Sequence, residues 1–204
     1  MRKIDSSLVQ DAEKYVTNLL GKSLSNEYLF HSRKHTMNVT QSSVMIGQYC
    51  GLTEDDLNLL QICALFHDTG YILTDKEHEI ESSFIATEFL KANQVEEDLI
   101  EKVTLAIMAT KVPQKPVDMI SEILCDADLI HLTTEDYFEQ MELLRLEWQV
   151  TGKSFFDEYQ FHMNSIEFFN NHQYHSEYGK TVLEDKKLAC LDKIKERVEL
   201  LRKG

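Results

Sequence analysis

Apolar residues recur at three- and four-residue spacing along almost the whole chain, and that period restricts it to helices packed on helices. Leu8, Val9, Ala12, Val16, Leu19 and Leu20 form one stripe between Asp5 and Leu20, with Gly21 expected to end it. Leu57, Leu60, Ala64 and Leu65 form another, behind Thr53 as a capping hydroxyl and the acids Glu54, Asp55 and Asp56 at the positive helix end. Further helices are expected over 33–50, 77–92, 96–110, 117–132, 133–150, 154–170 and 176–201. No run alternates apolar and polar residues as a half-buried strand would. Only 7 Gly and 2 Pro punctuate 204 residues, which suits helices better than many-turned sheets. The expectation is an all-α bundle of roughly nine helices.

Charge narrows the partners. The formal net charge is -14, opposite to the clustered Lys and Arg with which proteins neutralise nucleic-acid phosphates. No nucleic-acid polymer is therefore expected as a partner. No apolar run is long enough for a membrane span, and the N-terminal residues lack the apolar stretch of a signal peptide, so a cytoplasmic location is expected. Cys50, Cys63, Cys125 and Cys190 are scattered and form no CxxC pair, which suggests neither a thiolate zinc site nor a disulfide framework. Monomer and dimer both stay open.

One short stretch carries chemistry. His67-Asp68-Thr69-Gly70 follows directly on the apolar run Ile62 to Phe66. Ionisable groups in such a setting are costly to bury unless they are paired or bound to a metal. His35 lies upstream, and Asp126 and Asp128 lie downstream between Ile123-Leu124-Cys125 and Leu129-Ile130. Two imidazoles with two carboxylates suit manganese, iron, cobalt, nickel or zinc, with magnesium also admissible. Such an ion lowers the pKa of a bound water and polarises a phosphoryl oxygen, as phosphoester hydrolysis requires.

The ordered set Phe30-His31-Ser32-Arg33-Lys34-His35-Thr36, His67-Asp68-Thr69-Gly70 and Ala127-Asp128-Leu129 resembles the HD superfamily of metal-dependent phosphohydrolases. The resemblance spans about 28–132, and residues 134–204 are expected as helices packed on that core in a single 1–204 domain. It implies an HD-domain-like helical bundle with His35, His67, Asp68 and Asp128 as metal ligands. Asp126 is a rival for the last place; Ala127 before Asp128 favours Asp128. It implies a phosphorylated small-molecule substrate, a nucleotide or related phosphoester, cyclic nucleotides included. The alternative is a non-catalytic nucleotide-binding or regulatory module with the acid-rich stretch 75–101 as its partner surface.

Asp68, His78 and Lys111 are the catalytic candidates. His78 stands where some HD families bind a second metal, and no histidine lies between it and Asp128. One tight divalent ion is therefore expected, with any second ion weak. Lys111 is placed to meet a phosphate, although a helix C-terminus also favours lysine. Glu79 and Glu81 are expected on a solvated acidic face, Arg145 as a phosphate contact or in an exposed pair with Glu147, and Arg33 or Lys34 near the site. His162, His172 and His175 are expected to be structural or at the surface.

Overall fold

The computed structural model describes residues 2–203, and among these nine α-helices form the molecule. They are α1 (Ser6–Ser23), α2 (Arg33–Tyr49), α3 (Glu54–Phe66), α4 (His78–Ala92), α5 (Glu97–Ala109), α6 (Met119–Asp128), α7 (Tyr137–Val150), α8 (Glu158–Asn171) and α9 (Glu184–Leu201). Two 3-10 turns follow α3 and α6, at Thr69–Ile72 and Ile130–Thr133, and a π-helical turn, Gly179–Leu183, leads into α9. Strand-like pairing among the described residues is limited to one isolated bridge, Arg2 with Val95. None of these helices is long and apolar enough to cross a membrane.

The cap expected at Thr53 forms, and the structure adds another at Asp118. Thr53 accepts from the Asp56 amide and opens α3, and Asp118 forms a capping box with Ser121 at α6. Gly21 does not end α1, which runs on to Ser23. Gly21 is exposed with open space around it, so its weak helix preference costs about 1 kcal/mol without breaking the last turn.

α3 is the central element. Residues Leu59 to Phe66 are all buried except Gln61, and α1, α2, α5 and α6 pack around it. The helix is apolar nearly all round because neighbours cover most of its faces. Its C-terminal end therefore delivers His67 and Asp68 to the interior, where they are 0% and 6% exposed. The same apolar core continues into Tyr137 and Met141 of α7, Phe161 and Phe169 of α8, and Leu191 and Ile194 of α9. All four cysteines are free thiols.

Asp126 fills a structural role. Its two oxygens accept from the amides of His175 and Ser176, each at 2.8 Å, and so tie the segment before α9 to α6. Beside this segment His172 stacks on Phe168 with both ring nitrogens buried and unpaired. Burial, then the Lys187 charge, lowers its pKa to about 3. The unfolded chain protonates this ring near the ordinary value of about 6.5. The folded chain resists until about 3, so the ring's contribution to stability is full above pH 6.5 and lost as pH falls below it. The urea midpoint is expected to drop between pH 7 and pH 5, and His172→Phe should remove on the order of 1–2 kcal/mol of that drop. An unchanged pH dependence in the variant would contradict this account.

Candidate metal centre

Three chain segments converge. His35 comes from the first turn of α2, His67 and Asp68 from the end of α3, and Asp128 from the last residue of α6. One donor atom from each of His35, His67 and Asp128 lies within 4.8 Å of the others. Nε2 of His35 stands 3.1 Å from Asp128 Oδ1 and 3.4 Å from Nε2 of His67. Asp68 is outside that three-residue group, but its Oδ2 stands beside both imidazoles, 3.3 Å from His35 Nε2 and 3.2 Å from His67 Nε2.

This arrangement fits a cation. Nδ1–H of His67 donates to the Ala64 carbonyl at 2.7 Å, so the neutral ring turns its Nε2 lone pair into the cluster. A backbone carbonyl commonly orients a ligating histidine in this way. Asp68 Oδ2 is buried without a hydrogen-bond partner, which is costly for a carboxylate unless an ion meets it. The electrostatics agree. Burial opposes protonation of His35, yet Asp128 and Asp68 outweigh it and raise its pKa to about 9. His67 moves up for the same reasons, while Asp68 and Asp128 are held below the usual carboxylate range despite burial. The site thus favours positive charge at the point where the donors meet.

Around the cluster the structure adds groups that the sequence left unassigned. His131 lies in the turn after α6, Nδ1–H donating to the Asp128 carbonyl, and burial lowers its pKa to about 4. Tyr71 stacks against the rings of both His31 and His78, at 4.3 and 4.0 Å between centroids. The signals were present but weak: His131 is three residues beyond Asp128, on the same helical face, and Tyr71 directly follows Gly70.

His78 meets the cluster, its Nε2 3.3 Å from Asp68 Oδ1. Lys111 lies beyond the end of α5 at the cavity wall, in an exposed pair with Glu77 at 2.7 Å. Asp126 points away from the cluster to His175 and Ser176, so it is no rival ligand in this geometry. Arg33 and Lys34 are exposed and outside the cavity wall. Glu79 is not on a solvated face: it is 7% exposed, because the first turn of α4 packs against the turn Thr69–Ile72.

Arg145 and Glu147 do not pair either. Arg145 bonds Glu142, one helical turn earlier. Glu147 is 2% exposed and accepts from the Phe30 and His31 amides at 2.8 and 3.0 Å, with the His31 ring on its other oxygen. It fastens the segment that leads into His35. Glu147→Ala would leave two buried donors unpaired and is expected to cost about 3 kcal/mol in urea unfolding, with Glu147→Gln costing less. Equal midpoints for Glu147→Ala and wild type would refute that role.

These elements enclose a cavity of about 510 Å³ that reaches from Asp68, His78 and Asp128 to side chains of α7 and α8.

A family model for the HD domain matches residues 33–133. No curated protein matches the sequence. Several solved structures share the fold. A Lactobacillus plantarum protein superposes with a TM-score of 0.72 at 12% identity over 98% of this chain and 100% of its own. The Lin1889 protein of Listeria innocua gives 0.66 at 16% identity over 99% and 98%. A protein named as a predicted HD superfamily hydrolase, from an uncultured Thermotogales bacterium, gives 0.55 at 18% identity over 79% and 88%. At these identities the likeness is one of fold.

Proposed function

Because the chain belongs to the HD family through residues 33–133, we propose that it is a metal-dependent phosphohydrolase acting on a nucleotide or related small phosphoester. The observation that carries this reading is the convergence of His35, His67, Asp68 and Asp128 at one end of a ligand-sized cavity. These four residues would hold one divalent ion. When bound, such an ion lowers the pKa of water and polarises a phosphoryl oxygen.

The chain's own groups divide the remaining work. Asp68 presents Oδ2 to the donors and Oδ1 to Nε2 of His78, so it fixes that imidazole at the cavity wall. His78 is then placed to donate a proton or hydrogen bond to the phosphoryl group or the departing oxygen. Lys111 meets the substrate's negative charge by exchanging its exposed partner Glu77 for phosphate. Buried His67, with its fixed Nδ1–H donor, keeps the ligand geometry from relaxing.

Elemental analysis of the purified protein, then a phosphoester panel with added manganese, nickel or magnesium, tests the reading. Turnover that a chelator abolishes and metal restores is expected. Hydrolysis in oxygen-18 water should label the product phosphate. Metal binding without turnover of any phosphoester would favour the non-catalytic module instead.

A further inference from the structure

We infer that the substrate carries a single phosphate group on an apolar body; this rests on the phosphohydrolase reading of the site. The cavity has two chemically different ends. At one end stand the donors of the metal centre. The rest is walled by one face of α7, where Tyr137, Met141, Leu144 and Trp148 recur at helical spacing, and by Phe161 and Phe168 of α8. An apolar wall so close to an ionic cluster has little to offer a second phosphate. It gains instead by burying hydrocarbon or a ring, by roughly 25 cal/mol per Å².

Charge excludes a polyanion. Asp75, Glu77 and Glu79 line the same cavity. Lys111 is matched by Glu77, and Lys153 lies over the Trp148 ring at 5.3 Å. Asp68 and Asp128 already balance the charge of a divalent ion, so every further phosphate would face carboxylates at close range with nothing left to offset it.

Trp148 is the sole tryptophan of the chain, so its emission reports on this wall directly. The titrants are methyl phosphate, hexyl phosphate and inorganic tripolyphosphate, added to the full chain with zinc or with a chelator. Hexyl phosphate should bind at least about tenfold more tightly than methyl phosphate and shift the Trp148 emission. Tripolyphosphate should bind more weakly than hexyl phosphate. Leu144→Asn should erase the hexyl preference while leaving metal content and helical circular dichroism intact, and Leu144→Met should retain it. Equal binding of the two alkyl phosphates, or tighter binding of tripolyphosphate, overturns the inference. Preferential binding of hexyl phosphate without its hydrolysis would sink the phosphohydrolase reading and leave this one standing. Turnover of both alkyl phosphates with equal KM would do the reverse.

Discussion

Asp68→Ala is expected to take the protein from about one tightly held divalent ion to almost none, and to lower phosphoester turnover by at least about a hundredfold. Loss of a partner that merely orients a ligand already costs about 10–100-fold in affinity or activity. Asp68 does more than orient. Its Oδ2 faces both imidazoles, and its Oδ1 is the contact that places His78. The fold should survive, because Asp68 is held by the apolar packing of α3 before it and makes no buried hydrogen bond through Oδ2. Titration of metal-free protein, followed by metal analysis, reads the effect. In the wild type a second ion would find His78, the outer oxygen of Asp68 and the Glu79 carboxylate 3.6 Å from His78 Nε2, so it should bind more weakly than the first unless substrate phosphate completes its shell. His78→Ala should therefore leave the tight ion in place. Full metal retention in Asp68→Ala, or two tight ions in the wild type, would defeat this ligand assignment.

The candidate ligand cluster was legible in the sequence through local signals at His67 and Asp68, and through the family resemblance that joined His35 and Asp128 to them. His67 and Asp68 stand at the end of an apolar run, and the helix that carries them starts at a capping threonine. Both features follow from neighbouring residues alone. Residues joined across long separations were not legible. Glu147 lies 116 residues from His31, and its local pattern reads as an exposed helix face; only the packing of α7 over the 30–35 segment turns it inward. Glu79 misled for a related reason. Two acids near a helix start, Glu79 and Glu81, read as solvated, but α4 begins against the turn that follows Asp68, so Glu79 is buried. Asp126 and Asp128 look alike in sequence. They are two residues apart on α6 and so point to different sides, one to the ligand cluster and one to the backbone before α9. The continuous helix expected over 117–132 breaks at Leu129 into a 3-10 turn. That break lets His131 turn back to the Asp128 carbonyl, an interaction that periodicity does not encode.

Gly70→Ala should disable both the fold and the site, because at this position there is no room for even one carbon. A Cβ on Gly70 would stand 2.0 Å from the His78 carbonyl oxygen and 2.9 Å from the Ser82 amide. These are backbone atoms, so no side-chain rotation relieves the contact. The Gly70 amide also donates to Ser82 Oγ at 2.8 Å, which locks the turn Thr69–Ile72 onto the first turn of α4. Relief requires α4 to move away from that turn, and α4 carries His78 and Glu79 with it. Overpacking of a tight core costs about 1–3 kcal/mol, and a clash between two backbones belongs at the upper end or beyond. A loss of about 3 kcal/mol lowers Tm by roughly 6–12 °C in a chain of this length. Turnover should fall further than stability alone explains, since His78 leaves its contact with Asp68 Oδ1. Ser82→Ala separates the two effects: it removes the hydrogen bond and leaves the spacing intact, so it should cost about 1 kcal/mol and preserve the position of His78. If Gly70→Ala unfolds within about 1 kcal/mol of the wild type and keeps its turnover, then this close approach is not what positions α4 against the metal centre.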